Sequence, residues 1–199
     1  SLYSRRLMKE IKDALASDNG KYVADPRGLG VRAAGRNDQT GTSTLVIVTL
    51  DKSTGLLRSA NIGDSGYMII RRNAARKFEL VFRSEEQQHS FNFPFQIGTN
   101  GDNPADADVK QHNVLPGDVI IVGSDGLFDN MYNENIINVV NKEWERSSGN
   151  LQSVANALLE ETYKLSLDKV FVSPFALHAK QNNLYFRGGK SDDITIVLG

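Results

Sequence analysis

Apolar residues at Leu7, Met8, Ile11 and Leu15 recur at helical spacing, and Ser4 ahead of them is suited to cap a helix start. They predict an amphipathic helix at the head of the chain. From residue 17 to 43 this periodicity lapses among Gly, Asp, Asn and Ser, so a long surface loop, or a stretch from which residues are missing, is expected there. The β-branched run Thr44 to Leu50 then predicts a strand, and the turn DKSTG leads to a second strand at Leu56 to Ile62. Gly63-Asp64-Ser65-Gly66 separates that strand from a third, Tyr67 to Arg71, and Phe78 to Phe82 offers a fourth. Connections this short predict antiparallel neighbours, hence a β-meander.

Residues 84–117 show few long apolar runs and read as irregular, closed by the turn Pro116-Gly117. Asp118 to Val122 predicts a buried strand ending at Gly123-Ser124-Asp125-Gly126. Ile136, Val140 and Trp144 repeat every fourth position in a helix for which Asn133 is the expected N-cap. Leu151, Val154, Ala155, Leu158, Leu159 and Thr162 mark the core stripe of a second helix, and Ile194 to Leu198 is a last short strand. Strands in sequence plus paired helices imply an α+β domain with helices packed on antiparallel sheets.

Composition narrows the function classes. The 199 residues suit one domain, and 40% hydrophobic with 24% charged residues is a globular mix. Lys and Arg number 23 against 24 Asp and Glu, a net charge of -1 without the basic excess of a nucleic-acid-binding module. No apolar run approaches the ~20 residues of a membrane span. With no cysteine there is no disulfide, zinc ribbon or thiol nucleophile, which suits a reducing, intracellular compartment. Because Ser1 stands directly at a helix start and no signal-peptide pattern follows, the chain is expected to begin partway through a longer protein.

The candidate chemistry lies at strand ends. Asp125 follows the Asp118 to Val122 strand, while Asp192 and Asp193 precede the final one. If the two strands pair antiparallel, the carboxylates converge at one sheet edge. Two carboxylates ~4 Å apart repel by ~4 kcal/mol near a protein surface, so such a cluster requires a cation or a raised pKa. All-oxygen donors favour Mg²⁺, Mn²⁺ or Ca²⁺. On spacing alone, however, Asp125 also reads as a turn residue, Asp192 as a cap and Asp64 as a hairpin-shaping side chain. His89, His112 and His178 show no metal-ligand spacing, although His89 sits in a polar segment that an active-site rim could use. Arg187-Gly188-Gly189-Lys190-Ser191 imitates the end of a P-loop, but Leu184 stands where the first Gly belongs and a strand follows instead of a helix. Gly28-Leu29-Gly30-Val31-Arg32-Ala33 imitates a dinucleotide fingerprint but follows no predicted strand.

Taken together, ANIGDSGYMII (60–70), PGDVIIVGSDGLFDNM (116–131) and RGGKSDDITIVL (187–198) resemble the type-2C metal-dependent Ser/Thr protein phosphatases in order and spacing. SEEQQHSFNFPFQ (84–96) and SPFA (173–176) resemble the mitochondrial or plastid branch of that family. The resemblance implies an α+β fold, an antiparallel β-sandwich flanked by α-helices, with two Mg²⁺ or Mn²⁺ ions and room for a third. It implies Asp125 and Asp192 as metal ligands and Asp64 as a ligand of the weaker third ion. Asp193, Gly126 (through its backbone) and His89 are implied as supporting residues, and no catalytic residue is assigned beyond the metal ligands.

The implied activity is hydrolysis of phosphoserine and phosphothreonine in a phosphoprotein by a water activated between two metal ions, without a covalent phospho-enzyme. A monomer without nucleic-acid partners, located in mitochondria, is expected on the same resemblance. The family's N-terminal Arg with its acidic pair and the Asp-Gly-x-Gly-Gly segment do not occur in this chain. A single catalytic domain over 1–199 lacking that metal-binding segment is therefore expected to bind metal poorly and turn over little. The competing expectation is a noncatalytic module that keeps the fold and recognises a partner. A calcium-binding structural domain finds no EF-hand spacing to support it.

Overall fold

Strand pairing gathers the longer strands into two sheets, one of three strands and one of four, beside two short two-stranded pairs. The computed structural model describes residues 1–18 and 20–199. In chain order the elements are α1 (Leu2–Ala16), α2 (Lys21–Ala24), α3 (Pro26–Gly35), β1 (Thr42–Ser43), β2 (Leu45–Asp51), β3 (Leu56–Ile62), β4 (Gly66–Arg72) and β5 (Phe78–Arg83). Then follow β6 (Gln88–Ser90), β7 (Phe93–Pro94), β8 (Ile97–Gly98), β9 (Asp108–Asn113), β10 (Val119–Gly123), α4 (Asp125–Phe128), α5 (Asn133–Arg146), α6 (Leu151–Leu167), α7 (Pro174–Gln181) and β11 (Ile196–Leu198). All the sheet pairings are antiparallel, as the sequence predicts. The contacts group into two compact units, Ser1–Asp64 with Glu86–Pro116, and Ser65–Glu85 with Gly117–Gly199.

The first unit holds the three-stranded sheet β2-β3-β9 and buries Leu7, Leu29, Ala33, Leu45, Ile62 and Ile97 in one core. The cap of α1 is Ser1, whose Oγ accepts from the Ser4 N–H at 3.1 Å, so the helix starts earlier than Ser4. Its buried face is Tyr3, Leu7, Glu10 and Ala14, rotated from the expected stripe, and Met8 and Leu15 face solvent. Glu10 is tolerated inside because Arg6 meets its carboxylate at 2.9 Å.

The expected loop of 17–43 instead contains α2, α3 and β1; its residue Asn19 lies outside the described residues. Pro26 stands at the start of α3 and the Asp25 carboxylate accepts from the Gly28 N–H at 2.8 Å, which are ordinary helix-start devices. The buried face of α3 is Pro26, Leu29, Gly30 and Ala33, and side chains that small leave little hydrophobic periodicity to read.

The second unit holds the four-stranded sheet β11-β10-β4-β5 and a core that includes Met68, Ile70, Ile121, Leu127, Val140 and Leu158. The expected meander is thus replaced by two hairpins, β2–β3 and β4–β5, in separate sheets. Gly63-Asp64-Ser65 carries the chain out of one sheet and into the other, because the free edge of β3 is taken by β9 and that of β4 by β10. Strand β9, DVKQHN, is polar enough to have read as irregular. The helix α5 begins one residue after its cap Tyr132, so Asn133 is its first residue and not its cap. Helix α6 is capped by Asn150, which accepts from the Ser153 N–H at 2.9 Å. No helix among the described residues is long and apolar enough to cross a membrane.

Adjacent leucines on α6 test this packing. Leu158 is 0% exposed and Leu159 43% exposed, although both belong to the expected stripe. In urea denaturation, Leu158→Ala should cost about 2–5 kcal/mol, and Leu159→Ala should stay within about 0.5 kcal/mol of the parent.

Candidate functional site

β10 and β11 run antiparallel with Val122 opposite Val197 and Gly123 opposite Ile196. The exit of one strand therefore adjoins the start of the other, as the sequence predicts. The ladder continues past the strands: the Ser124 N–H donates to the Thr195 carbonyl at 3.1 Å. The Ser124 hydroxyl accepts from the Thr195 N–H and donates to the Asp193 carbonyl, each at 3.1 Å. This one side chain sews both chain segments together just where the acidic residues begin.

Directly after Ser124 the chain turns into α4, with Asp125 as its first residue and Asp129 at its C-cap. A separation of four places the two carboxylates on one side of the turn. Gly126 lies so close to the opposing segment that a Cβ there would stand 2.4 Å from the Asp193 carbonyl oxygen. Asn130, fully buried, completes the joint. Its Nδ2 donates to the carbonyls of Gly126 (2.9 Å) and Lys190 (2.8 Å), and its Oδ1 accepts from the Lys190 N–H (2.8 Å). Gly189 is pressed against the end of α6, where a Cβ would stand 2.0 Å from the Leu165 carbonyl oxygen. The paired glycines that imitate a P-loop are thus close-packing residues that bring Lys190 to its place.

Lys190 is the centre of the cluster. Its Nζ lies 2.9 Å from Asp125 Oδ2, 2.6 Å from Asp129 Oδ2 and 3.5 Å from Asp192 Oδ2. It also lies 4.9 Å from the centre of the Phe175 ring. The side chain is 16% exposed. Burial on its own would pull the ammonium pKa down, but the charges and hydrogen bonds of Asp129 and Asp125 outweigh it and hold it above the ordinary lysine range. Three carboxylates against one ammonium leave the cluster with an excess of negative charge.

The donor set can be tested against the divalent ions implied by the sequence. Carboxylate oxygens are the ligands that Mg²⁺ and Mn²⁺ take, and the three that meet here already share one cation. The chemistry of the donors fits. Their spacing is set by the ammonium: among the described residues no group of three or more His, Asp or Glu side chains is arranged to hold a metal ion directly.

The predicted residues fall as follows. Asp125 and Asp192 are brought to the same ammonium. Asp193 contributes its backbone, donating its N–H to Asp192 Oδ1 at 2.8 Å and accepting from Ser124. Gly126 contributes by close approach, with its N–H donating to Asp125 Oδ1 at 2.8 Å. Asp64 and His89 belong to the first unit. There Asp64 is buried just beyond β3, and His89 stacks on Phe95 at 4.0 Å and meets Asp102 Oδ1 at 2.9 Å through Nε2. Sequence reasoning missed Asp129, Asn130 and Lys190. The four-residue step from Asp125 to Asp129 was the available signal for the first, and Lys190 sat inside a motif set aside as a false P-loop.

Comparisons with known proteins give the family. Residues 7–198 match the model of the stage II sporulation protein E (SpoIIE) family. The chain is 40% identical over 167 residues to the protein phosphatase PTC7 homolog of Homo sapiens, an alignment covering 79% of this chain and 53% of that protein. The PTC7 homolog of Danio rerio matches at 40% over 167 residues, 79% of this chain and 54% of its own length. The chain thus spans about half the length of the curated relatives it matches. Among solved structures, the photosystem II phosphatase PBCP superposes with a TM-score of 0.87 at 31% identity, over 99% of this chain and 78% of that one. The catalytic domain of the serine/threonine phosphatase PstP, solved with two manganese ions, shares the fold at a TM-score of 0.61 and 13% identity, over 82% of this chain and 74% of that one.

Two variants test the site as built. Lys190→Met removes the resident cation, so Mn²⁺ titrated calorimetrically without substrate should bind at least about tenfold more tightly. Unchanged affinity would show that divalent ions do not bind at these carboxylates. Asn130→Ala, which strands the backbone groups around Gly126 and Lys190, should lower stability by about 1–3 kcal/mol in thermal melts.

Proposed function

The chain belongs to the type-2C family of Ser/Thr protein phosphatases, and on that premise we propose that it hydrolyses phosphoserine and phosphothreonine in proteins with the help of divalent ions. The observation that carries this reading is the sharing of one ammonium by Asp125, Asp129 and Asp192. A site that gathers three carboxylates around a cation suits a divalent ion, and PstP, of the same fold, was solved with two manganese ions. Asp125 and Asp192 would hold such an ion, with Asp129 beside them. When bound, it would supply an activated water and neutralise charge on the phosphoryl oxygens.

The protein's own contribution is to prepare the ligands. Asp125 Oδ1 is held by the Gly126 N–H and Asp192 Oδ1 by the Asp193 N–H, each at 2.8 Å, which leaves the Oδ2 atoms turned toward the shared cation. Lys190 offsets the repulsion among the carboxylates and has to yield them to an entering ion. The third-ion role of Asp64, the supporting role of His89 and the location in mitochondria stay with this proposal and rest on family resemblance.

Phosphate release from a phosphothreonine peptide by the full-length protein tests the reading. Turnover is expected with Mn²⁺ or Mg²⁺, to cease with chelator and to return on re-addition. Asp125→Asn should lower it by about a hundredfold or more while leaving the melting temperature close to the parent. Turnover in that variant at the parental rate would remove Asp125 from the mechanism.

A further inference from the structure

The stretch between α6 and Lys190 leaves more apolar surface uncovered than a solvated loop requires. Val170, Val172 and Leu184 are each more than half exposed, and Tyr185 is 92% exposed. These residues are not scattered. Val172, Leu177, Leu184 and Tyr185 line one groove of about 380 Å³, with Phe171 and Phe186 completing its apolar walls. Its polar rim is Lys180 and Arg187. The described residues lining it include no acid, and among the described residues neither cation takes part in an ion pair.

The groove is braced. The Ser173 hydroxyl donates to the Gly188 carbonyl at 2.7 Å, Val172 forms a β-bridge to Gly188, and the Gly189 N–H donates to the Asp168 carbonyl at 2.8 Å. Both walls are therefore tied to each other and to the end of α6. The groove also adjoins the carboxylate cluster. Phe186, in its wall, packs edge-on against Phe175 with ring centres 4.7 Å apart, and Phe175 in turn meets the Lys190 ammonium at 4.9 Å. One aromatic ring separates the two sites.

We propose that this groove docks the part of a phosphoprotein that flanks the residue being dephosphorylated, taking an apolar side chain with a carboxylate next to it. The inference rests on the phosphatase reading above and adds the sequence preference of its substrate. Apolar walls fit the side chain, and two unpaired cations on the rim fit an acidic neighbour, not a basic one. The proximity of the groove to the carboxylate cluster lets one short peptide reach both.

Dye-labelled phosphothreonine peptides would be titrated, with chelator present, against the full-length protein by fluorescence anisotropy. One series carries Leu and Glu on either side of the phosphorylated residue, and a control carries Ala and Lys. The Leu–Glu peptides should bind about tenfold more tightly or better. Leu184→Ser and Tyr185→Ala, both at exposed positions, should each remove that advantage, and Arg187→Glu should turn the preference toward the Lys peptide. With divalent ion restored, the same variants should raise KM for the Leu–Glu peptide about tenfold without changing its kcat, and leave hydrolysis of p-nitrophenyl phosphate, which has no flanks, unchanged.

Equal binding of both peptide series overturns the proposal. So do variants that hydrolyse the Leu–Glu peptide with parental KM, or a parent that sediments as a dimer and becomes monomeric with Leu184→Ser, which would assign the groove to a second copy. Preferential binding of the Leu–Glu peptides without any hydrolysis by the parent would support the groove and refute the phosphatase reading.

Discussion

Three carboxylates do not gather within a few ångström of each other unless a positive charge stands among them. In this chain that charge is the Lys190 ammonium, and much of the second unit's local architecture serves to deliver it. The β10–β11 ladder aligns the two acidic segments, Ser124 prolongs the ladder beyond the strands, and Asn130 fastens the backbone of Lys190 to that of Gly126. The absence of a side chain at Gly126 and Gly189 lets backbones approach where a methyl group would collide. Each of these contacts is ordinary. Their joint effect is an acidic cluster whose repulsion is offset within the chain.

That arrangement bears on how a phosphatase of this family could receive its ions. Carboxylates this close repel when no cation stands among them, and a lysine tethered to the same segment as Asp192 is a cation that is always present. On the proposed function, it is the univalent charge that a divalent ion would displace, while the backbone that aligns the carboxylates is fastened independently by Ser124 and Asn130. The apolar groove beyond Phe175 belongs to the same loop. Residues 168–192 thus carry an apolar surface and a basic rim on the same braced segment as Lys190 and Asp192, while Asp125 and Asp129 of the cluster come from α4 and its C-cap.

The sequence was most legible where a pattern is local. Strong β-branched runs located β2, β3, β4 and β10, the helical stripes located α5 and α6, and the motif order pointed to the family that the comparisons show. The convergence of Asp125 with Asp192 was legible too, because an antiparallel pair needs only the end of one strand and the start of another. Legibility failed where the evidence is weak or distant. The small residues of α3 hide its periodicity, the polar β9 reads as a loop, and a three-residue link looks like a hairpin turn until one knows which edges other strands occupy.

By itself, then, the sequence determined the strongly patterned strands and helices, the antiparallel character of the sheets and which two acids would meet. It did so because those properties depend on side-chain periodicity and on residue chemistry within short windows. Only the tertiary structure decided that β3 and β4 part into different sheets, that Asp129 joins the cluster, and that Lys190 fills its centre. Those outcomes depend on which segments, distant in the chain, win a limited set of sheet edges and on where a flexible lysine side chain finds its counter-charges, and neither is written in any local pattern.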